Sequence, residues 1–251
     1  MQLSKRLHAV ASLVTPGNRV ADVGCDHAYI SIYLIEKALS NHVIAMDVNQ
    51  GPIDRAKDNI EKFGYSNQIE TRRSNGLEKL QENEADSILI AGMGGALMIQ
   101  ILEEKPVVVE QVKELILQPQ SEINKVRQML QDRGFLIIVE NMVKDDGKFY
   151  MMMKAIPKST VPFPDKYELT KKEHYYYGRL LLEERNPILE EFLHWDLGLC
   201  ENILSGLGAE QSENARTREK EMKEKIDMIY CGLEYYNNEK RERYGGETSE
   251  Y

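Results

Sequence analysis

Apolar positions over the first 157 residues follow two periods. Runs rich in Val, Ile, Leu and Ala at 19–23, 42–47, 85–91, 112–117 and 135–140 are bounded by turn-forming residues and read as strands. Runs at 68–73 and 149–155 bring the number to seven. Between them, apolar residues recur every three or four positions, which predicts helices over 3–14, 28–39, 54–63, 96–104 and 122–132. Ser121 stands where it would cap the last of these. The polar turn Lys144-Asp-Asp-Gly-Lys148 joins the final two strands as a hairpin. Strand–helix alternation that ends in an antiparallel pair predicts an α/β fold with a doubly wound sheet of seven strands.

The pattern changes after three prolines in residues 156–164. No strand signal follows. Helical runs cover 167–185 and 188–207, separated at Asn186-Pro187. Met222, Ile226, Ile229, Leu233 and Tyr236 then repeat as a short coiled-coil-like heptad seam. This predicts a first domain over 1–157 and a helical hairpin or small bundle over 158–251, with 240–251 as a frayed tail.

Composition narrows the class. No apolar run reaches membrane-spanning length, and the first residues lack the apolar core of a signal peptide. Cys25, Cys200 and Cys231 are far apart, which argues against a zinc site and a disulfide framework. A cytoplasmic protein without a metal is expected. The net charge of −9 argues against a nucleic-acid coat protein but permits an enzyme with a local basic patch.

The first strand runs through Asp22 into the turn Gly24-Cys-Asp-His27 and then directly into a helix. Free backbone N–H groups and the positive end of a helix dipole converge at such a turn. Gly24 admits a ligand close to the backbone. A dinucleotide fingerprint needs glycine at the positions held here by Asp26 and Tyr29. A carboxylate there repels phosphate and suits a cation, such as the ammonium and sulfonium groups of S-adenosylmethionine. Asp22 adds a second carboxylate. The alternative for Asp26 is a helix N-cap. Asp47, with Val48 beside it, ends the second strand 25 residues after Asp22, where an acid accepts hydrogen bonds from ribose. Asn75-Gly76 follows the third strand and suits an adenine edge, or a plain turn. Gly92-Met93-Gly94-Gly95 leaves the fourth strand as a second close-approach backbone, with Met93 as an apolar wall. The alternative is that these glycines only permit tight helix–strand packing.

Four pieces taken together, Asp22-Val-Gly-Cys-Asp-His-Ala-Tyr-Ile30, Ala91-Gly-Met-Gly-Gly95, Leu117-Gln-Pro-Gln120 and the span from Glu140 to Tyr150, resemble the bacterial tRNA adenine-22 N1-methyltransferase family. The resemblance covers the whole chain, with departures at Cys25 and Asn75. It implies a Rossmann-like class I methyltransferase that uses S-adenosylmethionine and acts on adenine 22 near the tRNA D-arm. Asp22, Gly24, Asp26, Asp47, Val48, Asn75, Gly76 and Gly92 are then expected around the cofactor. Asp26, His27, Tyr29 and Met93 are expected at the reacting base. Because N1 lies on the Watson–Crick edge, the target must be unpaired or flipped.

Lys5, Arg6, Arg72, Arg73 and Lys148 are candidates for phosphate contacts. The helical region carries 14 Lys and Arg against 20 Asp and Glu over 158–251, so it offers shape or a one-sided patch rather than general attraction. A monomer is expected. The rival readings are a methyltransferase for another RNA or a small molecule, and a non-catalytic RNA-binding module. Asp26 in the phosphate turn disfavours an NAD-dependent oxidoreductase.

Overall fold

The two hydrophobic periods build two compact units in a computed structural model that describes residues 1–207 and 213–237. The first is Met1–Leu169 and the second begins at Thr170. The proline-rich stretch therefore stays with the first unit. There the Leu169 backbone N–H donates to the Gln131 side chain at 2.6 Å.

In the first unit, β1 (Val20–Val23), β2 (Val43–Asp47), β3 (Ile69–Arg73), β4 (Ser87–Met93), β5 (Glu114–Pro119), β6 (Phe135–Asp145) and β7 (Lys148–Pro157) form one sheet. Its order is β3-β2-β1-β4-β5-β7-β6. The first five strands are parallel, and β7 runs antiparallel to both β5 and β6. All four residues of β1 and all six of β5 are buried, as strands covered on both faces must be. Helix α1 (Lys5–Ala11) precedes β1, and helices α2 (Tyr29–Glu36), α3 (Gln50–Phe63), α4 (Gly95–Glu104), α5 (Pro106–Gln111) and α6 (Ile123–Asp132) lie in the connections between strands. The chain order reverses between β1 and β4, and ligands bind outside the carboxyl ends of strands at such a point.

The elements differ from the sequence expectation mostly at their ends. α1 is shorter than 3–14, and α2 stops at Glu36 rather than 39. α3 begins at Gln50, before Pro52, because proline is tolerated in a first helical turn. β4 extends through Gly92 and Met93, so half of the glycine-rich segment is strand. α5 was not expected: the segment between the fourth and fifth strands beyond 104 had no assigned element, and Pro106 starts a helix there through Val107, Val108 and Val109. Ser121 does not cap α6, whose N-cap is Glu122 with left-handed backbone. It turns instead to the start of α4, where its hydroxyl accepts from the Gly95 N–H at 3.2 Å.

In the second unit the expected run over 167–185 is broken. Two short helices, α7 (Lys172–Tyr177) and α8 (Arg179–Glu183), meet at Gly178, whose φ of +91° no continuous helix allows. Then come α9 (Pro187–Leu207) and α10 (Glu213–Asn237). Asn186 caps α9 by accepting from the Ile188 and Leu189 N–H groups, with Pro187 at the first helical position. Lys225 pairs with Asp196 at 2.7 Å, and the Tyr236 hydroxyl donates to the Asn186 carbonyl at 2.9 Å. As one helix advances the other retreats, so α9 and α10 pack antiparallel. The heptad seam lies inward, with Met222, Ile229 and Leu233 buried. The tail over 240–251 falls outside the described residues.

Candidate functional site

The turn after β1 is tied to β2. The Gly24 and Cys25 N–H groups both donate to the Met46 carbonyl, at 2.8 and 3.0 Å. Gly24, Asp26 and Ala28 all have left-handed backbone, with φ of +78°, +44° and +56°. Two of these are not glycine, and strained residues of this kind gather at functional sites. Ala28 is the N-cap of α2 and no side chain caps that helix, so the capping alternative for Asp26 does not hold.

Asp26 is exposed instead. It pairs with Arg55 of α3 at 2.9 Å and lies 3.5 Å from His27 Nε2. His27 in turn stacks on Tyr29, with ring centroids 5.2 Å apart and planes 12° from parallel. Asn59 donates to the His27 carbonyl at 3.0 Å and fixes the turn to α3. The chain thus presents a carboxylate, an imidazole and a phenol ring on one short loop.

This loop forms one wall of a cleft of about 740 Å³, counting its open mouth. Asp22, Gly24 and Cys25 line it together with Ala91, Gly92, Arg6 and Gln120. Met93 reaches across from β4 to lie over Gly24, so a side chain at Gly24 would strike the Met93 methyl group. Gly92 leaves room for Arg6, whose Nη1 would stand 3.1 Å from a Cβ there. Gly95 has a different task. A Cβ at Gly95 would meet the Ser121 carbonyl, so this glycine serves packing. The two readings of the glycine-rich segment each hold for part of it.

Asp22 is 3 % exposed, and among the described residues its carboxylate accepts hydrogen bonds from Ser31 alone, whose Oγ donates at 2.6 Å. Burial pushes its carboxyl up to about pH 6, against the opposing pull of the Ser31 bonds. Cys25 is not a nucleophile here: burial, with Asp22, Asp47 and Asp26 nearby, drives its thiol far above the usual range.

Asp47, Val48, Asn75 and Gly76 do not line this cleft. They form a second group at the ends of β2 and β3, on the other side of the turn. The Ser74 N–H donates to the Asp47 carbonyl at 2.9 Å. Asp47 Oδ1 accepts from the Asn49 N–H at 2.9 Å. Val48 is 49 % exposed, and Asn75 is exposed with no side-chain hydrogen bond within the described residues. Gly76 backs onto Ile101. One subsite is therefore polar and cleft-like, and the other is an open ledge with an acid, an amide and an apolar side chain.

Of the phosphate candidates, Arg72 is committed elsewhere. It bonds to Glu70 and Glu84 at 2.7 and 2.6 Å and is mostly covered. Arg73 Nε donates to the Val48 carbonyl at 3.1 Å, which stiffens the ledge. Lys5 and Lys148 are exposed. Arg6 points into the cleft, a placement that sequence spacing does not reveal. Among the described residues no cluster of metal-ligating side chains occurs, and no helix is long and apolar enough to cross a membrane.

Comparison with known proteins gives a consistent pattern. A family described as a methyltransferase domain matches residues 3–153. The tRNA (adenine(22)-N(1))-methyltransferase of Bacillus subtilis is 31% identical over 230 residues, covering 91% of this chain and 96% of that protein. The crystal structure of the B. subtilis M1A22 tRNA methyltransferase TrmK superposes with a TM-score of 0.81 at 30% identity, covering 92% of this chain and 99% of the other. A Streptococcus pneumoniae protein solved in complex with S-adenosyl-L-methionine superposes with a TM-score of 0.80 at 32% identity, covering 92% and 100%.

Proposed function

Because the chain belongs to the methyltransferase-domain family that includes the tRNA (adenine(22)-N(1))-methyltransferases, we propose that it methylates N1 of adenine 22 in tRNA with S-adenosylmethionine as donor. The observation that carries this reading is Asp22, a buried carboxylate without a cation among the described residues, in a cleft that glycine keeps open. The chemistry of that residue fits a ligand that brings positive charge.

When bound, S-adenosylmethionine supplies a sulfonium methyl that adenine N1 takes through its in-plane lone pair, releasing S-adenosylhomocysteine. The residues of this chain do the rest by positioning and by excluding water. Asp22 accepts hydrogen bonds from the ammonium of the methionine end. Gly24 lets the ligand lie against the backbone, and Gly92 widens the opposite wall. On the ledge, Asp47 Oδ2 accepts from ribose, Val48 covers one face of the adenine, and Asn75 bonds to its edge. Gly76 allows the turn that presents Asn75. Met93 is the apolar wall between the two subsites.

The product base is cationic at N1. Asp26 at the mouth of the cleft stabilises that developing charge and can accept a proton from N6, while Arg55 and His27 hold its orientation. The stacked pair His27 and Tyr29 offers a flat surface for a base drawn out of its helix. The acceptor is a tRNA, whose phosphates meet the exposed Lys5 and Lys148 beside the cleft.

The test is methyl transfer from labelled S-adenosylmethionine to unmodified tRNA, followed by mapping of the product base. Label is expected as N1-methyladenine at a single adenine of the D-arm region. Binding of S-adenosylhomocysteine without label in any tRNA would move the acceptor to a small molecule and sink the tRNA assignment.

A further inference from the structure

Among the described residues that line the cleft, Gln120 alone carries an amide. Two positions earlier, Gln118 is fully buried and committed: it accepts from Arg6 at 2.8 Å and donates to the Pro119 carbonyl at 3.3 Å. Gln120 is exposed, and its side chain makes no hydrogen bond within the described residues. Its backbone, by contrast, is fixed on both sides. The Gln120 N–H donates to the Met93 carbonyl at 2.8 Å, and the Gly95 N–H donates to the Ser121 carbonyl at 3.1 Å. The exit of β5 is thus stapled to the exit of β4, and an uncommitted amide stands on a rigid support. Gly92 leaves it room, since a Cβ there would lie 3.8 Å from Gln120 Nε2.

In the sheet, β4 lies between β1 and β5. The turn that carries Asp26 and the exit that carries Gln120 therefore leave strands about 10 Å apart and line one cleft. Asp26 by itself does not select adenine. A carboxylate accepts from the exocyclic amine beside the attacking nitrogen, and cytosine offers the same pair, a lone pair at N3 next to the N4 amine. The two bases differ one position further on, where adenine has the N7 acceptor and cytosine a C5–H. N1 is taken up by the methyl transfer, so the edge left for recognition is N6 and N7.

We infer that Gln120 reads this edge and makes the site specific for adenine: its Nε2 donates to N7, and its Oε1 accepts the N6 hydrogen that Asp26 does not take. The inference rests on the tRNA adenine reading and deepens it. An amide supplies one donor and one acceptor side by side, as N7 and N6 of adenine require. Guanine would set its O6 acceptor against Oε1.

The test uses the full chain, labelled S-adenosylmethionine and three synthetic tRNAs with adenine, 7-deazaadenine or cytosine at position 22. For the wild type, replacing N7 by C–H is expected to lower kcat/KM about 10- to 100-fold, the worth of a bidentate contact to a base. Gln120→Met should lose a similar factor on adenine, separate adenine from 7-deazaadenine by less than about twofold, and narrow the adenine-to-cytosine ratio about tenfold. Gln120→Glu keeps an acceptor for N6 but offers N7 no donor, so it too should treat adenine and 7-deazaadenine alike. Affinity for S-adenosylhomocysteine, read by calorimetry, should stay within about twofold in both variants. Equal methylation of adenine and 7-deazaadenine by the wild type overturns the inference without any variant. So does a Gln120→Met protein that keeps the wild-type preference for adenine over either other base, because another group would then read N7. A loss of S-adenosylhomocysteine affinity that matches the loss of activity also overturns it, because Gln120 would then serve the cofactor. A wild type that methylates none of the three refutes the tRNA reading itself, a distinct result.

Discussion

Burial holds the Asp22 carboxyl at about pH 6 in the free protein, while an unfolded chain releases that proton near 3.8. The protonated form therefore stabilises the fold below about pH 4. That contribution, on the order of 3 kcal/mol, is lost as pH rises through 6. A bound ammonium reverses the preference, because the ionised carboxylate is then the better partner. Affinity for S-adenosylhomocysteine should rise with pH up to about 6 and level off above it. At pH 5 binding should release close to one proton, read by calorimetry in two buffers of different ionisation enthalpy. Asp22→Asn should abolish the release. A wild type that exchanges no proton at pH 5 would place the ammonium elsewhere. The place of Asp22 in the cleft was legible in the sequence because the strand, the turn and the acid are contiguous. Arg6 and Arg55 were not legible in the same way. Arg6 becomes a cleft residue through Gln118, 112 positions away, and Arg55 finds Asp26 across 29 positions. No local pattern reports such pairings.

At the scale of elements, two glycine turns that look alike do different work. Gly24 has φ of +78° and faces the end of a flexible side chain, Met93. Gly24→Ala displaces that methionine into the cleft and adds backbone strain of about 1–2 kcal/mol. Its expected effect is a modest fall in Tm with at least a tenfold loss of S-adenosylhomocysteine affinity. Gly95 opens α4 against the backbone carbonyl of Ser121, which has little freedom to move. Gly95→Ala should therefore cost stability first, with a larger fall in Tm than Gly24→Ala. Thermal unfolding and ligand titration of the two variants side by side check the distinction. Equal profiles would mean that both glycines serve packing alone. The strand–helix alternation was readable because apolar runs and helical periods do not overlap in length. Local propensity was overridden where tertiary packing decided. Three valines formed a helix in α5 because Pro106 opens it, and Ser121 left its own helix for the start of α4.

For the whole molecule, charge poses the remaining problem. A chain with net charge −9 that acts on a polyanion must gain its attraction from a few placed cations. Near the cleft these are Lys5, Lys144 and Lys148. Lys5 and Lys148 are exposed, and Lys144 lies over the Phe149 ring at 5.0 Å, on the β6–β7 hairpin. Arg72, which the sequence also offered, is neutralised by its own two glutamates. About three phosphate contacts give a slope of roughly −2 to −3 for log(kcat/KM) of tRNA against log salt. Proteins that coat nucleic acid fall far more steeply. The affinity for S-adenosylhomocysteine should change little over the same range, since salt screens weakly inside a cleft lined by buried residues. Lys148→Gln should lower kcat/KM for tRNA and make the slope shallower by about one, with cofactor affinity unaltered. A slope steeper than about −6 would show that many more cations meet the tRNA than this cleft provides. The binding surface would then have to extend well beyond the ends of the sheet.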